Sequence, residues 1–324
     1  MRIVCSGGGT GGHIYPAIAV AKEVEHRYPD AEVLFVGATG KMEMEIVPKV
    51  GYRIEGLWIS GLQRRLTWKN LVWPFKVLSS VMKARKILRS FRPNIVIGFG
   101  GYASGAALWA ATKLSLPTLI QEQNSFAGIT NKILSKRVDR ICVAYENALQ
   151  FFPSDRTVVL GNPIRKLEVT TTREQLCQQF GLQEDSQVVL IAGGSLGAKS
   201  INQALIDNYD LISQLEGVEI LWQCGKLYLD QCEQSKTAQL SYVQVHEFID
   251  NMAGAYRVAD VVASRAGALT ISELQSSGKA SILIPSPNVA EDHQTKNARA
   301  LSERRAALLL HDDDLSQSLI PSIQ

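Results

Sequence analysis

Residues 2–13, RIVCSGGGTGGH, run from a short apolar strand directly into a turn that is mostly glycine. Five of the eight residues from Ser6 to His13 are glycine. Glycine allows backbone N–H groups to approach a ligand closely, and the N-terminus of a following helix adds partial positive charge. The stretch therefore predicts a phosphate-binding turn between the first strand and the first helix of a parallel α/β domain.

A second unit of the same type begins at residue 188, where VVLIAGGSLGA again runs from an apolar strand into a glycine turn. Strand patterns alternate with helical patterns, as in parallel sheets covered by helices. Asn162-Pro163 marks a linker between the two units. We therefore predict an α/β fold of two Rossmann-like domains, residues 1–162 and 163–324, with parallel sheets facing across a cleft. The clearest helical patterns span Tyr15–Arg27, Phe75–Ser90 and Leu269–Ser277, the last capped by Gly278.

The composition of the 324-residue chain, 46% of it apolar, is sufficient for two hydrophobic cores. Its five cysteines are scattered without a C-x-x-C pair, which argues against a disulfide framework or a structural zinc site. The sequence shows neither a signal-peptide pattern nor an apolar run near the roughly 18 residues that span a bilayer. We therefore expect a cytosolic chain.

The net charge of +3 conceals an asymmetry between the two halves. Residues 1–162 carry 21 Lys and Arg against 11 Asp and Glu, a net charge of +10, whereas residues 163–324 carry 13 against 20, a net charge of −7. The first half is therefore expected to face an anionic partner. No nucleic-acid partner is expected.

The first glycine turn fits G-x-G-x-x-G at Gly7, Gly9 and Gly12, but two common nucleotide-binding classes are disfavoured. A dinucleotide-binding domain needs an acidic residue at the end of its second strand, where this chain has Val36-Gly37-Ala38-Thr39. A P-loop needs Lys and a hydroxyl residue after the last glycine, where this chain has His13-Ile14. The remaining interpretation is a phosphate-binding turn with the His13 imidazole at its edge.

Eight motifs occur in the order found in the MurG family of glycosyltransferases, which the chain resembles from Arg2 to about Leu301. They are GGGTGGHIYPAIAVA, GFGGYASG, QEQNSFAGITNK, GNPIR, GGSLGAKSIN, HEFIDNMA, SRAGALTISEL and EDHQTKNARAL. The resemblance implies an inverting GT-B enzyme that moves N-acetylglucosamine from UDP-N-acetylglucosamine to the C4 hydroxyl of undecaprenyl-diphospho-N-acetylmuramoyl-pentapeptide. Such an enzyme serves peptidoglycan synthesis, and with it cell shape and cell division. The family's chain normally continues into a helix packed on the first domain, which this sequence is expected to lack.

The resemblance also implies an acceptor-binding, membrane-associating first domain and a donor-binding second domain. The implied substrate-binding residues are Thr10, Gly11, Gly12, Asn124, Arg165, Ser195, Ile249, Ala268, Leu269, Thr270, Ile271, Ser272, Glu273 and Gln294. Among them, Ser195 lies in a glycine turn whose amides could hold a diphosphate, and Glu273 resembles the acceptor of the ribose diol. The residue pattern leaves an alternative, because Thr270-x-x-Glu273 also fits a helix capping box.

Two residues compete for the role of general base, His13 and Glu122. Imidazole as a group titrates close to neutral pH, whereas a carboxylate needs its pKa raised by burial before it can accept a proton there. This argument favours His13, although His13 could instead only orient a phosphate or a sugar. The second glycine stretch contributes the implied acceptor-binding residues, Gly101, Tyr102 and Ser104.

Residues 64–92 contain nine basic residues, no acidic residue and an apolar cluster that includes Trp68, Leu71, Trp73 and Phe75. Tryptophan prefers the bilayer interface, so we expect peripheral docking on the anionic cytoplasmic face of a cell membrane. The alternative is a helix whose apolar side packs on the sheet. Other cell-wall synthesis enzymes are possible partners.

No cofactor or metal is expected, because two glycine turns and an arginine can neutralise a pyrophosphate. Asp312-Asp313-Asp314 contains the D-x-D pattern of metal-dependent glycosyltransferases, but we predict a solvated turn or a helix start there. Two other functions stay open: a UDP-N-acetylglucosamine 2-epimerase of the same fold, and a UDP-sugar-binding regulator without turnover.

Overall fold

The computed structural model describes residues 1–61, 68–167, 169–194, 196–289 and 292–323, with residues 68–71 described by their backbone alone. The predicted site residue Ser195 and the side chains of Trp68 and Leu71 therefore lie outside the described part. The chain divides into two compact units, Met1–Arg165 and Lys166–Gln324.

In the described part of the first unit, seven parallel strands form one sheet in the order β3-β2-β1-β4-β5-β6-β7. Their bounds are β1 Arg2–Ser6, β2 Glu32–Ala38, β3 Arg53–Leu57, β4 Ile95–Gly98, β5 Thr118–Glu122, β6 Arg140–Val143 and β7 Thr157–Val159. Chain order reverses beside β1, which makes the carboxyl ends of β1 and β4 a topological switch point where α/β proteins bind ligands.

The helices of the first unit are α1 Gly11–Arg27, α2 Glu43–Lys49, α3 Trp68–Phe91, α4 Gly101–Lys113 and α5 Ile129–Leu134. Two begin earlier than the sequence pattern predicts. Helix α1 includes Gly11 and Gly12, whose low helix propensity argues for a loop, and α3 continues through Pro74. In both cases the helix extends over a residue that weakens helices.

The described part of the second unit contains a six-stranded parallel sheet in the order β10-β9-β8-β11-β12-β13. Its strands are β8 Gln187–Ala192, β9 Val218–Gln223, β10 Val243–His246, β11 Val261–Arg265, β12 Ala280–Ile284 and β13 Leu308–Leu309. Its helices are α6 Arg173–Phe180, α7 Lys199–Asp207, α8 Tyr209–Ile212, α9 Leu229–Glu233, α10 Met252–Val258, α11 Ala268–Ser277, α12 His293–Ser302 and α13 Leu315–Ser318. Gly278 ends α11 with φ of 64°, as predicted for its cap.

Both faces of the first sheet are buried, because β1 contributes to a different core on each side. Val4 packs in one cluster, while Ile3 and Cys5 pack in the other. Burial on both faces explains why these strands read as continuous apolar runs. The prediction of two Rossmann-like α/β domains with parallel sheets is confirmed. Within the described residues, no helix combines the length and the apolar character needed to cross a bilayer.

Candidate active site

The first glycine loop joins β1 to α1 and holds His13 in the first turn of the helix. Thr10 is the extended residue before that turn, and its carbonyl oxygen accepts a hydrogen bond from the His13 amide at 3.1 Å. The His13 Nδ1 atom lies 2.8 Å from the Gly8 carbonyl oxygen. Because a carbonyl only accepts hydrogen bonds, Nδ1 carries the hydrogen in the neutral imidazole and Nε2 keeps its lone pair.

The second glycine loop, between β4 and α4, lies against the first. Gly100 and Gly101 have φ of 104° and 83°, values that favour glycine. A Cβ atom on Gly100 would lie 2.8 Å from the His13 Nε2, and one on Gly101 would lie 2.6 Å from the Gly8 carbonyl oxygen. The structure therefore brings the two glycine loops together around the His13 ring.

The predicted acceptor-binding residues lie on the first turn of α4. Tyr102 is exposed, and its ring packs so closely on Gly61 that a Cβ there would overlap the phenol. Ser104 is fully buried, with its Oγ beside Gly98. Of the pair, Tyr102 can contact a ligand with its side chain, whereas the Ser104 side chain faces the protein interior.

Glu122, the rival of His13, ends β5 with 2% of its surface exposed. Its Oε1 accepts hydrogen bonds from the backbone and side-chain amides of Asn124 at 3.1 and 3.3 Å. Its Oε2 accepts from the Gly128 amide at 3.0 Å and from the Asn131 side chain at 2.9 Å. Because both oxygens are engaged, Glu122 must lose a hydrogen bond before it can take a proton from a substrate. Its carboxylate organises the loop between β5 and α5.

The first unit contains two further predicted substrate-binding residues, Asn124 on the β5–α5 loop and Arg165 at the end of the unit. Asn124 is held by Glu122, as described above, and is half-buried. Arg165 is exposed and is the last residue of the first unit. The intervening Asn162 donates a hydrogen bond to the Gln123 carbonyl at 3.0 Å, which ties the segment before Arg165 to the β5–α5 loop.

The glycine turn of the second unit follows β8 and precedes α7. Gly194 and Gly197 have φ of 88° and 77°. Gly197 lies so close to Cys224 that a Cβ would come within 2.1 Å of the Cys224 carbonyl oxygen. Only glycine fits at this position, and the turn presents the N-terminus of the nine-residue helix α7 at the carboxyl end of β8.

Gln223, which the sequence patterns did not single out, connects this turn to Ile249, one of the predicted substrate-binding residues. Its Nε2 donates to the Gly194 carbonyl oxygen at 3.1 Å, and its Oε1 accepts from the Ile249 amide at 2.9 Å. The feature that could have identified Gln223 is its position, because it ends β9 and pairs in register with Ala192, the last residue of β8. Since the Ile249 amide is engaged, its carbonyl is the other backbone group that could read a base edge.

The capping-box alternative for Glu273 is wrong. Gly267 is the residue before helix α11, so Thr270 lies inside the helix instead of at its cap. Glu273 is buried, and its Oε2 accepts a hydrogen bond from the Tyr256 hydroxyl at 3.1 Å. A buried carboxylate oriented by a tyrosine at the first turns of a helix is compatible with binding a ribose diol.

The other predicted donor residues fall into two groups. On α11, Ala268 and Ile271 are buried. The other predicted side chains of this helix are partly exposed: Leu269, Thr270 and Ser272. On α12, the Gln294 Oε1 accepts a hydrogen bond from the Ser286 amide at 2.8 Å. Gln294 thereby orders the segment that follows β12, and its amide nitrogen is the group suited to a sugar hydroxyl.

The predicted helix start is observed, because Asp312–Asp314 form a short 3₁₀ helix directly before α13, with Asp313 and Asp314 exposed. Asp312 itself is not solvated, since only 19% of its side chain is exposed. Its carboxylate forms an ion pair with Arg265 at the end of β11, and the Ser200 hydroxyl of α7 donates to it at 2.7 Å. Arg265 also donates to the Pro285 carbonyl at 3.2 Å. Asp312 therefore joins three elements of the second unit. Within the described residues, no group of three or more His, Cys, Asp and Glu side chains is placed to hold a metal ion.

Helix α3 presents an exposed apolar stripe that passes into basic residues. Phe75 is 70% exposed, and Leu78 and Met82 follow on the same face with 61% and 63% exposure. Arg89, seven residues beyond Met82, is exposed on the same face. Trp73 instead is half-buried, and its Nε1 donates to the Ser60 carbonyl oxygen at 3.2 Å. The apolar surface of this segment therefore belongs to Phe75 and its helical neighbours more than to Trp73.

Two family models match the chain, one for each unit. The Glycosyltransferase family 28 N-terminal domain matches residues 3–143, and the Glycosyltransferase family 28 C-terminal domain matches residues 188–324. Together these ranges cover most of both units and include both glycine turns.

The chain is similar over nearly its whole length to proteins named UDP-N-acetylglucosamine–N-acetylmuramyl-(pentapeptide) pyrophosphoryl-undecaprenol N-acetylglucosamine transferase. The one from Christiangramia forsetii is 51% identical over 99% of this chain and 87% of its own. The one from Bacteroides fragilis is 48% identical over 99% of this chain and 86% of its own.

Solved structures agree with these sequence matches. The crystal structure of Acinetobacter baumannii MurG has a TM-score of 0.75 and 31% identity, over 100% of this chain and 90% of that one. A UDP-GlcNAc 2-epimerase from Neisseria meningitidis has a TM-score of 0.67 over the same shares of the two chains. Its sequence identity is 17%, so this likeness supports the fold alone.

Proposed function

The chain belongs to glycosyltransferase family 28, within its MurG group, and from that premise we propose how it transfers a sugar. The reaction moves N-acetylglucosamine from UDP-N-acetylglucosamine to the C4 hydroxyl of the undecaprenyl-diphospho-N-acetylmuramoyl-pentapeptide acceptor. The new glycosidic bond forms at the anomeric carbon as the bond to UDP breaks, with inversion. The acceptor hydroxyl loses its proton to the protein, and UDP leaves with the bonding electron pair.

His13 is the general base in this proposal. The single observation that carries the assignment is the contact of the His13 Nδ1 with the Gly8 carbonyl oxygen. This contact leaves the lone pair on Nε2, which lies beside Gly100, where there is no side chain. The rival Glu122 already accepts hydrogen bonds on both oxygens. A general base must be able to reach the proton it removes, and of the two groups His13 is the one whose acceptor atom is not engaged by the loop around it.

In this proposal, the glycine turns of the two units bind different diphosphates. The turns of the first unit, which has an excess of basic residues, bind the acceptor diphosphate. The residues at this diphosphate site are Gly11, Gly12, Gly101 and Tyr102. The turn before α7 receives the UDP diphosphate, with Ser195 and Arg165 as further ligands. Backbone amides at a helix N-terminus supply the positive potential, so the proposal needs neither a metal nor a cofactor.

UDP is held by residues of the second unit in this proposal. Glu273, oriented by Tyr256, accepts the ribose hydroxyls, and the backbone of Ile249 reads the uracil edge. Gln294 and the first turn of α11 contact the donor sugar and its phosphates. Asn124 of the first unit contributes to the donor as well.

We further propose that the first unit docks on the cytoplasmic face of the cell membrane, where other cell-wall synthesis enzymes could meet it. An undecaprenyl chain stays in the bilayer, so the enzyme must come to its acceptor. The α3 stripe of Phe75, Leu78 and Met82, continued by Arg89, combines an insertable apolar surface with charge that attracts anionic lipid. Each basic residue near such a surface contributes about 1 kcal/mol, which gives weak and reversible docking.

Sugar transfer from labelled UDP-N-acetylglucosamine to a short-chain analogue of the lipid acceptor tests the function. The proposal predicts a disaccharide product that depends on the acceptor, together with an equal amount of UDP. A 2-epimerase would instead convert the donor to its manno epimer without acceptor. A binding protein would show saturable donor binding and no product, and either result would reject the proposal.

A further inference from the structure

A buried carboxylate lies directly beneath the first glycine loop. Glu43, the first residue of α2, has 1% of its surface exposed. Its Oε2 accepts a hydrogen bond from the Gly9 amide at 3.0 Å, and its Oε1 accepts one from the Ala38 amide at 2.9 Å. One side chain thus joins the loop after β1 to the end of β2.

Two glycines make room for this carboxylate. A Cβ on Gly8 would lie 2.0 Å from the Glu43 Oε1, and a Cβ on Gly37 would lie 2.6 Å from its Cγ. Neither distance is possible for a real side chain, so both positions must lack one for Glu43 to occupy its place. The sequence patterns attributed the glycines of this loop to the approach of a ligand, whereas Gly8 also serves the approach of Glu43 from inside the protein.

The Glu43 contact decides which amides of the loop can face a substrate. The Gly9 amide points at the carboxylate, so it is not available to a phosphate. The amides of Gly11 and Gly12 follow at the start of α1, where the first amides of a helix have no acceptor within the helix. Gly8, whose carbonyl holds the His13 ring, directly precedes the amide that Glu43 binds.

From this arrangement we infer that Glu43 is a positioning residue for sugar transfer. It holds the β1–α1 loop so that the Gly8 carbonyl orients His13 and the amides of Gly11 and Gly12 face the acceptor diphosphate. This inference rests on the proposed function. It assigns the acceptor a pre-formed loop, built with a negative charge on its inner side and hydrogen-bond donors on its outer side.

Glu43→Gln is the informative variant, because glutamine has nearly the same shape but only one acceptor oxygen. Its amide group must face one of the two backbone N–H groups that the carboxylate now accepts, so one anchor is lost. Glu45→Gln is the matched control, since Glu45 lies exposed in the first turn of the same helix.

We expect Glu43→Gln to lower kcat/KM for a short-chain acceptor by at least about tenfold, the equivalent of 1.4 kcal/mol. UDP affinity should stay within about twofold of the wild-type value, because none of the residues that Glu43 contacts is proposed to bind UDP. Glu45→Gln should match the wild type in both. Equal acceptor kinetics for the two variants, or a matching loss of UDP affinity in Glu43→Gln, would overturn the inference. If the wild-type chain itself transfers no sugar, the proposed function fails instead.

A measurement on the wild-type chain covers the case in which Glu43→Gln does not fold. Amide hydrogen exchange followed by NMR should be at least about tenfold slower at Gly9 than at Gly12, because only the former amide is bonded to a buried carboxylate. Addition of the acceptor analogue should then slow exchange at Gly11 and Gly12 and leave Gly9 unchanged. Exchange at Gly9 as fast as at Gly12 would overturn the inference.

Discussion

The His13 Nδ1 lies 2.8 Å from the Gly8 carbonyl oxygen, and this contact determines which ring nitrogen can accept a proton. The carbonyl cannot donate, so the hydrogen of the neutral ring sits on Nδ1 and the lone pair on Nε2. The Nε2 atom lies beside Gly100, where a Cβ would come within 2.8 Å. The first glycine loop thus places the lone pair on the His13 Nε2, and the second glycine loop has no side chain that would press on that atom.

Gly100→Ala should lower kcat at least about tenfold, because the added methyl group would press on the His13 Nε2 and displace the ring. The variant also forces alanine into a positive φ, which costs about 1–3 kcal/mol of stability. Gly51→Ala controls for that cost, since Gly51 has φ of 92° and nothing within 4 Å of the added Cβ. Transfer kinetics and melting temperatures of both variants make the comparison. Equal kcat values for Gly100→Ala and Gly51→Ala would show that Gly100 is needed only for its backbone conformation.

Glu273→Ala should weaken UDP binding by about 1.5–3 kcal/mol, the range for hydrogen bonds to a charged group. The loss should nearly vanish for 2′,3′-dideoxy-UDP, because that ligand lacks the hydroxyls that the carboxylate is proposed to accept. Tyr256→Phe is the control that removes the observed hydrogen bond and keeps the carboxylate. Calorimetric titration of both ligands gives the numbers. Equal losses for UDP and its dideoxy analogue would reduce Glu273 to a structural partner of Tyr256.

Phe75→Ser combined with Leu78→Ser should reduce binding to vesicles that contain phosphatidylglycerol, because it removes two exposed apolar side chains from the docking face. Binding by the wild-type chain should fall as salt rises, since ions screen the basic residues beside the stripe. Leu227→Ser is the control, because Leu227 is 77% exposed but belongs to the second unit. Co-sedimentation measures binding, and turnover on a long-chain acceptor should fall while a soluble analogue is spared. Equal loss on both acceptors would refute membrane docking through α3.

His246 should make the second unit less stable in mild acid. Burial lowers the pKa of His246 below its ordinary value of 6.5, and its Nε2 has no hydrogen-bond partner among the described residues. The unfolded chain therefore binds this proton at a higher pH than the folded chain, so the unfolding free energy decreases as pH falls below 6.5. Above that range both states are neutral and the contribution is constant.

Denaturant unfolding of the wild type and of His246→Gln between pH 5 and pH 8 tests this expectation. The variant should lose less stability on acidification, by up to about 1.4 kcal/mol per pH unit, the limit for a single proton. His311→Gln, at an exposed histidine of the same unit, is the control. An acid dependence that is unchanged by His246→Gln would contradict the prediction.

The sequence predicts the fold well because buried parallel strands have a strong local signal. The strand patterns predicted before the two glycine turns, for example, are found as β1 Arg2–Ser6 and β8 Gln187–Ala192. Helix starts are less predictable, because Gly11 and Pro74 disfavour a helix locally while their neighbours on the same helix pack against the sheet. Tertiary packing therefore extends α1 and α3 beyond the local pattern.

For the site, sequence motifs identify the glycine turns but not the side chains that hold them. Glu43 and Gln223 act through contacts with residues 34 and 29 positions away, a relation that no local spacing reveals. Thr270 and Glu273 fit a cap by spacing alone, and the helix begins one turn too early for that role. Asp312 looks solvated in sequence because its partner Arg265 lies 47 residues away.

The assignment of the proton acceptor is tested most directly by kcat of His13→Ala and Glu122→Gln on the short-chain acceptor, with UDP affinity measured in parallel. If His13 removes the acceptor proton, His13→Ala lowers kcat by about 10²–10⁴ while UDP affinity stays near the wild-type value. Glu122→Gln should cost stability, and its kcat should fall less, because that carboxylate holds a loop. A change of tenfold or less in His13→Ala, with a collapse of kcat in Glu122→Gln, would contradict the account and make Glu122 the base.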